Sequence, residues 1–304
     1  MPKVFVSILS YNGNKDTQAC LGSLEEINTA GFELSVVVID NASKEKFTDD
    51  RKYQKFTLKI IRSENNLGFS GGQNLGIKFA LNNGADYVLV LNNDVILDKD
   101  LITELLRTLQ TEKDCGIVSP KIYFAKGHEF HKDRYKQDEL GKVIWYAGGK
   151  MDWQNVIAYH KGVDEVDKGQ YEKVEQTDFA SGCCEMIKRE VLEKVGVFDK
   201  RYFLYYEDND LSQRAKKLGF KVIYQPKAIL WHLNAGSTGG SGSILHDYYI
   251  TRNRLLFGFS YATLRAKIAL GKESLKLIFA GRSWQKKGAL DFYLRKFGKG
   301  SYHE

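Results

Sequence analysis

Three carboxylates stand within four positions in the stretch YFLYYEDNDLSQRA, which begins at Tyr202. They are Glu207, Asp208 and Asp210, and an apolar, aromatic run leads directly into them. Crowded carboxylates repel one another and resist burial unless a cation or a proton-transfer role compensates. The stretch also fits a helix N-terminus, because acidic side chains favour the first turn, with LSQRAKKLG as the helix and Gly219 as its stop. Both interpretations can hold together, since a helix start can aim a carboxylate into a cleft.

Polar clusters also follow three predicted strands at the points where those strands end. The strands are Val4–Leu9, Leu34–Asp40 and Tyr87–Asp94. The clusters at their ends are Ser10-Tyr11-Asn12, Asp40-Asn41 and Asn92-Asn93-Asp94. Ligands of open α/β sheets bind beyond the carboxyl ends of the strands, so these clusters should line one crevice.

The elements that must position these residues alternate between strand and helix. A further strand is predicted over Thr57–Arg62, and helices are predicted over Lys15–Asn28 and Gln73–Leu81, the second after the glycine-rich turn NNLGFSGGQNLG. Continuous apolar strands of this kind are buried on both faces, which indicates a parallel sheet covered by helices. The order of elements predicts an α/β fold with right-handed crossovers.

The bulk composition is that of an ordinary globular protein, 43% hydrophobic and 27% charged over 304 residues. No apolar run reaches the roughly 18 residues that a membrane-spanning helix needs. The first residues, MPKVFVSILSYNG, indicate a strand and a turn rather than a secretory signal. The four cysteines lack CxxC spacing, which favours a reduced, cytoplasmic protein. A Gly/Ser-rich stretch from His232, HLNAGSTGGSGS, is predicted to form a flexible loop.

The net charge of +7 is concentrated at the C-terminal end. Residues 261–304 carry ten Lys and Arg against three acids, which equals the net charge of the whole chain. Because Leu, Ile, Phe and Trp284 interleave with these cations, we expect peripheral attachment to the inner face of the cell membrane through anionic headgroups. Packing of the tail on the core and a homodimer contact remain as alternatives. Nucleic acid is not an expected partner, since no RNA- or DNA-binding motif accompanies the charge.

Eight short motifs occur in an order and spacing that are specific when taken together. They are SYN at Ser10, DNAS at Asp40, NNLGFSGGQNLG at Asn65, LNND at Leu91, ASGCC at Ala180, FDKRYFLYYEDNDL at Phe198, WH at Trp231 and YYITRNR at Tyr248. On these motifs the chain, from Val4 to about Phe257, resembles glycosyltransferase family 2, and most of all its bacterial rhamnosyltransferase-type members.

The resemblance implies a GT-A fold, an α/β architecture in which a Rossmann-like mixed sheet that binds a nucleotide sugar is flanked by helices. It divides the chain into a glycosyltransferase domain, residues 1–257, and a basic helical C-terminal extension, residues 258–304. Within the domain, residues 1–118 form the nucleotide-binding half and residues 119–257 the acceptor-side half.

The resemblance also implies a reaction. Family 2 enzymes invert: an acceptor hydroxyl attacks the anomeric carbon of a nucleotide-activated sugar while a carboxylate takes its proton. The acceptor would be a glycan or a lipid-linked saccharide in bacterial polysaccharide biosynthesis, with dTDP-rhamnose as the favoured donor and a UDP-hexose as the next. Asp208 matches the family's base, Glu207 is expected to orient acceptor or backbone, and Asp210 to cap the following helix. The alternative is a non-catalytic nucleotide- or glycan-binding protein on the same fold.

A divalent cation, Mg²⁺ or Mn²⁺, is expected beneath the diphosphate, where it would neutralise the leaving group's charge. Asp94, at the end of a buried strand, offers the carboxylate oxygen that such cations prefer. His232 is the second ligand that the resemblance implies. Family members often have Asp-x-Asp at this point, whereas this chain has Asn92 in place of the first acid. That departure is the main support for the non-catalytic alternative.

The other predicted site residues contact the donor. Asp40 resembles the acid that reads the base or ribose, and Tyr11 and Asn12 are expected to stack on and bond the nucleoside. Arg252 and Arg254 are expected to clamp the diphosphate, since guanidinium pairs bidentately with phosphate. A pair of glycines would let the backbone approach the donor closely. The full predicted donor set is Ser10, Tyr11, Asn12, Asp40, Asn41, Gly71, Gly72, Asn92, Asn93, Arg252 and Arg254.

Overall fold

The computed structural model describes residues 1–233 and 242–303. The strands in these ranges are β1 (Lys3–Ser10), β2 (Glu33–Asp40), β3 (Phe56–Arg62), β4 (Tyr87–Asn92), β5 (Val95–Leu97), β6 (Cys115–Phe124), β7 (Ile144–Tyr146), β8 (Gly149–Asp152), β9 (Ile157–His160), β10 (Glu175–Gln176), β11 (Cys184–Lys188) and β12 (Lys221–His232). The helices are α1 (Asn14–Glu25), α2 (Gly68–Asn82), α3 (Leu101–Thr111), α4 (Arg189–Lys194), α5 (Glu207–Lys217), α6 (Ile244–Tyr261), α7 (Leu264–Ala280) and α8 (Ser283–Tyr293), with a short 3₁₀ turn at Lys132–Arg134.

One mixed sheet organises the fold. Along it lie, in order, β10, β12, β6, β11, β4, β1, β2 and β3, while β5 pairs with β12 and β7 with β6. The strands β3, β2, β1 and β4 are parallel, whereas β11 runs antiparallel to β4 and β6. The predicted α/β mixed sheet is therefore confirmed. Because β1 lies between β2 and β4, their three carboxyl ends are neighbours, as the crevice prediction requires.

Two helices begin earlier than the sequence predicts. The helix α2 begins at Gly68 instead of Gln73, because the glycines of its first turns let it lie directly on β1. A Cβ on Gly72 would come within 2.3 Å of the Leu9 side chain. The helix α5 begins at Glu207 and not at Leu211, so the three acids occupy its first turn, as the helix-N-terminus interpretation predicts. Its predicted stop is observed, since Gly219 follows the helix with a φ of +87°.

Apolar side chains cover both faces of the sheet. Alternate residues of β1 point to opposite sides, as the pleat of a strand requires. Val4, Val6 and Ile8 join a layer with α1 and α3, and Phe5 joins a layer with α2, α4 and α5. The four cysteines are all buried.

The C-terminal segment is helical, as predicted, and packs on the acceptor-side half. Leu255, Leu270 and Ala289 bring α6, α7 and α8 into one apolar cluster that also contains Tyr206. The predicted domain boundary at residue 257 falls inside α6 and stays a prediction. Across residues 1–233 and 242–303, none of the helices has both the length and the apolar character needed to span a bilayer. The central part of the predicted Gly/Ser loop, residues 234–241, lies outside the described residues.

Candidate active site

Three aromatic residues immediately before α5 have a left-handed backbone. Phe203, Tyr205 and Tyr206 have φ angles of 65°, 69° and 71°. Bulky residues rarely adopt positive φ, and each such position costs about 1–3 kcal/mol unless its surroundings enforce it. Since Glu207 and Asp208 follow at once, this strained turn determines where the two carboxylates leave the backbone.

Asn253 of α6 holds the strained turn in place. Its Nδ2 donates to the carbonyl oxygens of Tyr202, Leu204 and Tyr205 at 2.8, 2.7 and 2.9 Å. The side chain is fully buried, and buried polar groups persist only when their hydrogen bonds are made. The motif TRNR therefore contributes to the site through the turn that positions the acids.

Arg252 serves the fold rather than the donor, so its predicted role as a diphosphate clamp is wrong. Its side chain is completely buried. Nε donates to Oδ1 of Asn253 at 3.0 Å, and Nη1 donates to the carbonyl oxygen of Gly298 at 2.7 Å. Nη2 donates to the carbonyl oxygens of Arg201 and Tyr202 at 3.2 and 2.9 Å. Burial lowers the pKa of the guanidinium. All its nitrogens are occupied by protein, and they join the turn before α5 to the C-terminal tail.

Arg254 lies on a different face of α6. Its Nε and Nη2 donate to the carbonyl of Asn155 at 3.1 and 2.6 Å, and its guanidinium pairs with Glu273 at 2.7 Å. It lines the same cavity as Asp208. The structure thus brings Arg254 to the acids of α5 and not to the strand ends, where a diphosphate clamp was predicted.

The cavity beside α5 has a volume of about 460 Å³ and contains both predicted catalytic acids. Oδ2 of Asp208 accepts from the Gly182 N–H at 3.0 Å. Oδ1 accepts from the N–H and Nδ2 of Asn209 at 2.7 and 2.9 Å. Burial raises the pKa of Asp208, while these hydrogen bonds act in the opposite direction. A carboxylate held by donors with a raised pKa is a suitable general base.

Glu207 is the more strongly perturbed of the two acids. Burial and the neighbouring charge of Asp208 raise the pKa of Glu207 well above its usual range, which favours its neutral form. Among the described residues, its Oε2 has no hydrogen-bond partner. A protonated carboxyl at a cavity wall can donate a hydrogen bond, which agrees with an orienting role.

Asp210 does not cap α5, contrary to the prediction. The N-cap of α5 is Tyr206, and Asp210 lies in the first turn, where its Oδ2 pairs with Arg214 at 2.7 Å. Its Oδ1 accepts from the Tyr261 hydroxyl at 2.7 Å. The three carboxylates therefore point in different directions, which reduces their mutual repulsion. Asp210 points toward the Arg214 guanidinium, while Glu207 and Asp208 face the cavity.

His160 is a cavity residue that the sequence analysis missed. Its Nδ1 lies 3.1 Å from the carbonyl oxygen of Trp145. Since a carbonyl can only accept, Nδ1 carries the hydrogen and Nε2 is left as an acceptor. Burial lowers the pKa of His160 to about 4, so the ring is neutral. No motif marks this residue, because it lies on the short hairpin strand β9, which reaches the site only through tertiary packing.

Glu185 was also missed. It lies on β11 opposite Val90, on the face of the sheet that α5 covers. The side chain is completely buried, and neither carboxylate oxygen has a hydrogen-bond partner among the described residues. Burial, with the charges of Asp208 and Glu207, raises the pKa of Glu185 well above its usual range. The folded protein therefore favours the protonated form of this carboxyl.

Glu185→Met is expected to stabilise the protein, and to do so more at pH 8 than at pH 5. In the unfolded chain Glu185 ionises above about pH 4.3, whereas the folded protein keeps it protonated. The wild type consequently loses stability as pH rises from that value toward the folded pKa. Removing the unpaired buried carboxyl should recover about 1–3 kcal/mol. Urea unfolding at both pH values measures the gain, with the exposed Glu112→Met as control. Equal stability of Glu185→Met and wild type at pH 8 would refute the assignment.

A second cavity, of about 320 Å³, lies at the carboxyl ends of β1, β2 and β4. We call it the donor cavity. Four predicted donor residues line it, namely Tyr11, Asn41, Asn92 and Asn93. Its other described lining residues are Leu9, Asn66, Gly68, Phe69, Phe203, Leu204, Leu245, Lys299 and Tyr302. The structure thus brings the three strand ends together, as predicted.

Asp40 and Ser10 do not face the donor cavity. The Asp40 carboxylate is completely buried and pairs with Arg62, and it accepts from the N–H groups of Ser43 and Phe47 at 2.9 and 3.1 Å. The Ser10 hydroxyl, also buried, accepts from Thr17 at 2.8 Å. Direct donor contact is therefore wrong for both. Asp40 instead shapes the loop that follows β2.

Three further predicted donor contacts have other roles. The Asn12 side chain accepts from the Lys44 N–H at 2.8 Å and lies outside the donor cavity lining. A Cβ on Gly71 would lie 2.8 Å from Leu67 Cβ, and Gly72 meets Leu9 as described above. Both glycines thus permit close packing of α2 and do not admit the donor. Asn41 does line the cavity, yet its amide is used to hold the Asn66–Gly68 turn.

Asp94 and His232 lie together at the junction of β4, β5 and β12. Oδ1 of Asp94 and Nε2 of His232 are 3.2 Å apart, and both side chains are buried. Nδ1 of His232 has no partner among the described residues. No group of three or more His, Cys, Asp or Glu suited to a metal occurs in residues 1–233 and 242–303. Two ligands fit a cation that takes its remaining ligands from water and a diphosphate, as Mg²⁺ usually does.

Gly182 lies between a residue of the donor cavity and a residue of the cavity beside α5. A Cβ on this residue would lie 3.0 Å from Phe69, which lines the donor cavity, and 3.6 Å from Cβ of Asp208. On the other side, the Trp145 ring lies 4.8 Å from the His232 ring and 4.3 Å from the His160 ring. The predicted base and the predicted metal ligands therefore belong to one continuous region.

Comparison with known proteins supplies an independent view. Residues 2–258 match the model of the family described as glycosyltransferase like family 2. The chain is 29% identical over 218 residues to the low-salt glycan biosynthesis hexosyltransferase Agl10 of Haloferax volcanii, covering 71% of this chain and 62% of that protein. It is 28% identical over 221 residues to the N-acetylglucosaminyl-diphospho-decaprenol L-rhamnosyltransferase of Mycobacterium tuberculosis, covering 68% of each. The dTDP-rhamnosyl transferase RfbF of Shigella flexneri is 24% identical over 235 residues, covering 75% of this chain and 68% of that one.

Solved structures of the GT-A fold share the architecture. A mannosyltransferase from Pyrobaculum calidifontis, solved with GDP-Man and Mn²⁺, superposes with a TM-score of 0.55 at 17% identity, covering 99% of this chain and 76% of that one. Staphylococcus aureus TarS with UDP-GlcNAc gives a TM-score of 0.59 at 14% identity, covering 95% of this chain and 79% of that one. At these identities the likeness shows the fold alone.

Proposed function

This chain belongs to glycosyltransferase-like family 2, and on that premise we propose that it is an inverting enzyme that transfers a sugar from a nucleotide-sugar donor to an acceptor hydroxyl. One observation carries the proposal: Gly182 lies between Phe69, which lines the cavity at the strand ends, and Asp208, which lines the cavity beside α5. A donor in the first and an acceptor in the second would meet beside the carboxylate of Asp208. The family match and the GT-A fold both support a transferase activity.

In the proposed reaction Asp208 accepts the proton of the attacking hydroxyl. The acceptor oxygen forms a bond to the anomeric carbon, and the bond from that carbon to the diphosphate oxygen breaks. The electron pair of the broken bond leaves with the nucleoside diphosphate. Protonated Glu207 donates a hydrogen bond that orients the acceptor, and neutral His160 offers Nε2 to a second sugar hydroxyl.

Asp94 and His232 are the residues that would hold a divalent cation. Their close approach and the unpartnered Nδ1 of buried His232 support this assignment. When bound, the cation supplies charge neutralisation for the diphosphate. Asn92, the departure from Asp-x-Asp, lines the donor cavity and is proposed to act there as a neutral hydrogen-bonding group.

The favoured donor is dTDP-rhamnose, followed by a UDP-hexose. The M. tuberculosis and S. flexneri relatives are named as rhamnosyltransferases and the H. volcanii relative as a hexosyltransferase. A thermal-shift panel of nucleotide sugars, with and without Mn²⁺, tests the proposal. A ligand at a hundredfold excess over its Kd adds about 2.7 kcal/mol to the stability of the folded state. If no nucleotide sugar raises the Tm and no sugar is transferred, the proposed function fails.

Asp94→Asn is expected to abolish the part of the dTDP or UDP thermal shift that depends on Mn²⁺. The amide keeps the shape of the side chain and removes the charge that a hard cation prefers. Tm is measured with the nucleotide alone and with Mn²⁺ added. The control is Asp98→Asn, which changes a carboxylate four residues later. An Mn²⁺-dependent shift as large as that of wild type would remove Asp94 from the cation site.

We also propose that the acceptor is lipid-linked and that the protein attaches to the inner face of the cell membrane. The M. tuberculosis relative is named for a decaprenol-linked acceptor. One face of α7 carries Leu264, Ile268, Leu275 and Phe279 at a helical spacing, and their exposed fractions are 75%, 52%, 52% and 80%. Arg265, Lys272 and Lys276 flank them. An apolar stripe flanked by cations suits an anionic lipid surface.

Replacing both Leu264 and Phe279 with Ser is expected to abolish flotation of the full chain with phosphatidylglycerol-containing vesicles. The two substitutions remove the most exposed apolar side chains of α7 and leave its charge unchanged. Leu218→Ser, at another exposed leucine (56%), should float like wild type. Flotation of the double variant at the wild-type level, or no flotation of wild type, would exclude this face as the membrane contact.

A further inference from the structure

The C-terminal turn closes one side of the donor cavity. Lys299 and Tyr302 line it together with Tyr11 and Asn93 from the strand ends. Both tail residues lie beyond residue 258, where the family match ends. They therefore lie in the C-terminal extension, outside the residues that the family model matches, where the sequence predicts contacts with lipid, core or a partner but no donor residue.

Hydrogen bonds to buried groups hold this turn in place. The carbonyl of Gly298 accepts from Nη1 of Arg252 at 2.7 Å, and the Gly298 N–H donates to the carbonyl of Arg201 at 2.9 Å. The carbonyl of Lys299 accepts from the Tyr249 hydroxyl at 3.1 Å. Arg252 thus holds the turn directly, because its guanidinium is completely buried and donates to the Gly298 carbonyl.

The turn also requires a glycine after the lysine. Gly300 has a φ of +60°, and a Cβ at this position would lie 2.1 Å from the Tyr248 hydroxyl oxygen. Immediately beyond it, the Ser301 N–H donates to that hydroxyl and to Oδ2 of Asp291, both at 2.9 Å. The backbone on both sides of Lys299 is therefore fixed, and only its side chain is free to move toward a ligand.

Lys299 is the charged residue among the described residues that line the donor cavity. The other lining residues are apolar, aromatic, glycine or amide-bearing. An ammonium group on a flexible stem acts as a point charge toward phosphate. A cavity with one cation and no carboxylate in its described lining is complementary to an anion.

We propose that Lys299 binds the diphosphate of the nucleotide-sugar donor, so that the C-terminal extension completes the donor site. The inference rests on the proposed function, since the donor cavity is where the nucleotide is expected. Lys299 contacts the phosphates in both the bound donor and the released nucleoside diphosphate. Its loss therefore weakens donor binding more than it slows the chemical step, which raises KM for the donor.

Lys299→Met tests the proposal, because it removes the charge and keeps the length of the side chain. Affinities for dTDP, UDP, thymidine and uridine are measured by calorimetry for the full-length protein. A charged hydrogen bond contributes about 1.5–3 kcal/mol. Of dTDP and UDP, the one that wild type binds more tightly should therefore bind to the variant at least about tenfold more weakly. The KM for the donor should rise by a similar factor. Nucleoside affinity should stay unchanged. Lys299→Arg should retain most of the diphosphate affinity, and Lys296→Met, at an exposed neighbour, should match wild type.

The outcomes separate this inference from the proposed function. If wild type binds dTDP or UDP and Lys299→Met binds it equally well, Lys299 has no role and the proposed function stands. If Lys299→Met weakens nucleoside and diphosphate equally, the tail shapes the cavity without contacting phosphate, and the inference is wrong. If wild type binds neither diphosphate, both proposals are refuted.

Discussion

Asp208→Asn is expected to lower kcat for sugar transfer by about 10²–10⁴, the usual contribution of a general base, while donor affinity stays at the wild-type value. The amide has the size of the carboxylate and keeps a hydrogen bond from the Gly182 N–H, but it cannot accept the proton of the attacking hydroxyl. Donor affinity is expected to be unaffected because Asp208 lines the cavity beside α5 and not the donor cavity. Initial rates at saturating donor and calorimetric donor binding measure the two quantities.

Glu207→Gln is the matched control. Burial and the charge of Asp208 raise the pKa of Glu207 and favour its neutral form, and an amide reproduces the shape of that form and its ability to donate. Its rate should remain within a few fold of wild type. A wild-type rate for Asp208→Asn would show that another group is the base, and a loss of donor binding would show that Asp208 has a different role.

The pH profile gives a second readout of the same residue. Asp208 must be ionised to accept a proton, and burial raises its pKa above that of an ordinary Asp. Hence kcat/KM should fall as pH decreases through that raised value, at a higher pH than an exposed aspartate would produce. The acid limb should be absent from the residual activity of Asp208→Asn. A residual rate with the same acid limb would assign the limb to another group.

Arg252→Met is expected to destabilise the protein by about 3–5 kcal/mol, because it leaves several buried carbonyl acceptors without donors. Those carbonyls belong to the turn before α5 and to the tail, so both should loosen. Equilibrium unfolding in urea measures the loss. The same variant should also weaken nucleotide binding, since the tail lines the donor cavity.

Arg254→Met, two residues along α6, is the control for stability. Its ion pair with Glu273 is partly exposed, and pairs of this kind contribute about 0–1 kcal/mol. If Arg252→Met instead keeps full stability and loses only nucleotide affinity, the diphosphate-clamp interpretation is restored and the structural role assigned here is wrong.

The strand ends show what a sequence pattern predicts well. Apolar runs that end in polar clusters predicted that Tyr11, Asn41 and Asn93 would meet, because neighbouring parallel strands must end at one edge. The roles of individual side chains at that edge were less predictable. Asp40 and Ser10 occur at the expected strand ends, but hydrogen bonds to nearby loop and helix residues direct their side chains away from the donor cavity. The hydrophobic periodicity of the sequence does not predict such hydrogen bonds.

The motif TRNR shows a second kind of error. Residues 252 and 254 are about 200° apart on a helix, so one arginine had to face the core if the other faced solvent. Arg252 lies on the same side as Tyr248, four residues earlier, and that aromatic neighbour was the available signal for burial. Gly71 and Gly72 illustrate a related ambiguity, since the absence of a side chain serves close helix packing as well as close approach of a ligand.

Glu185, His160 and Lys299 could not be found from local sequence. Each is positioned by contacts between segments far apart in the chain. Glu185 lies on a strand beneath α5, His160 on a hairpin beside that helix, and Lys299 in the tail that Arg252 holds. A lone acid in an apolar strand was the strongest signal among the three, because an unpaired buried carboxylate is costly.

A crystal structure of the protein with dTDP or UDP and Mn²⁺ tests the central claim most directly. We expect the nucleotide in the donor cavity, the manganese peak in anomalous maps in contact with Asp94 and His232, and the terminal phosphate on the side that faces Gly182 and Asp208. A nucleotide bound away from the strand ends, or a manganese ion remote from Asp94 and His232, would contradict it.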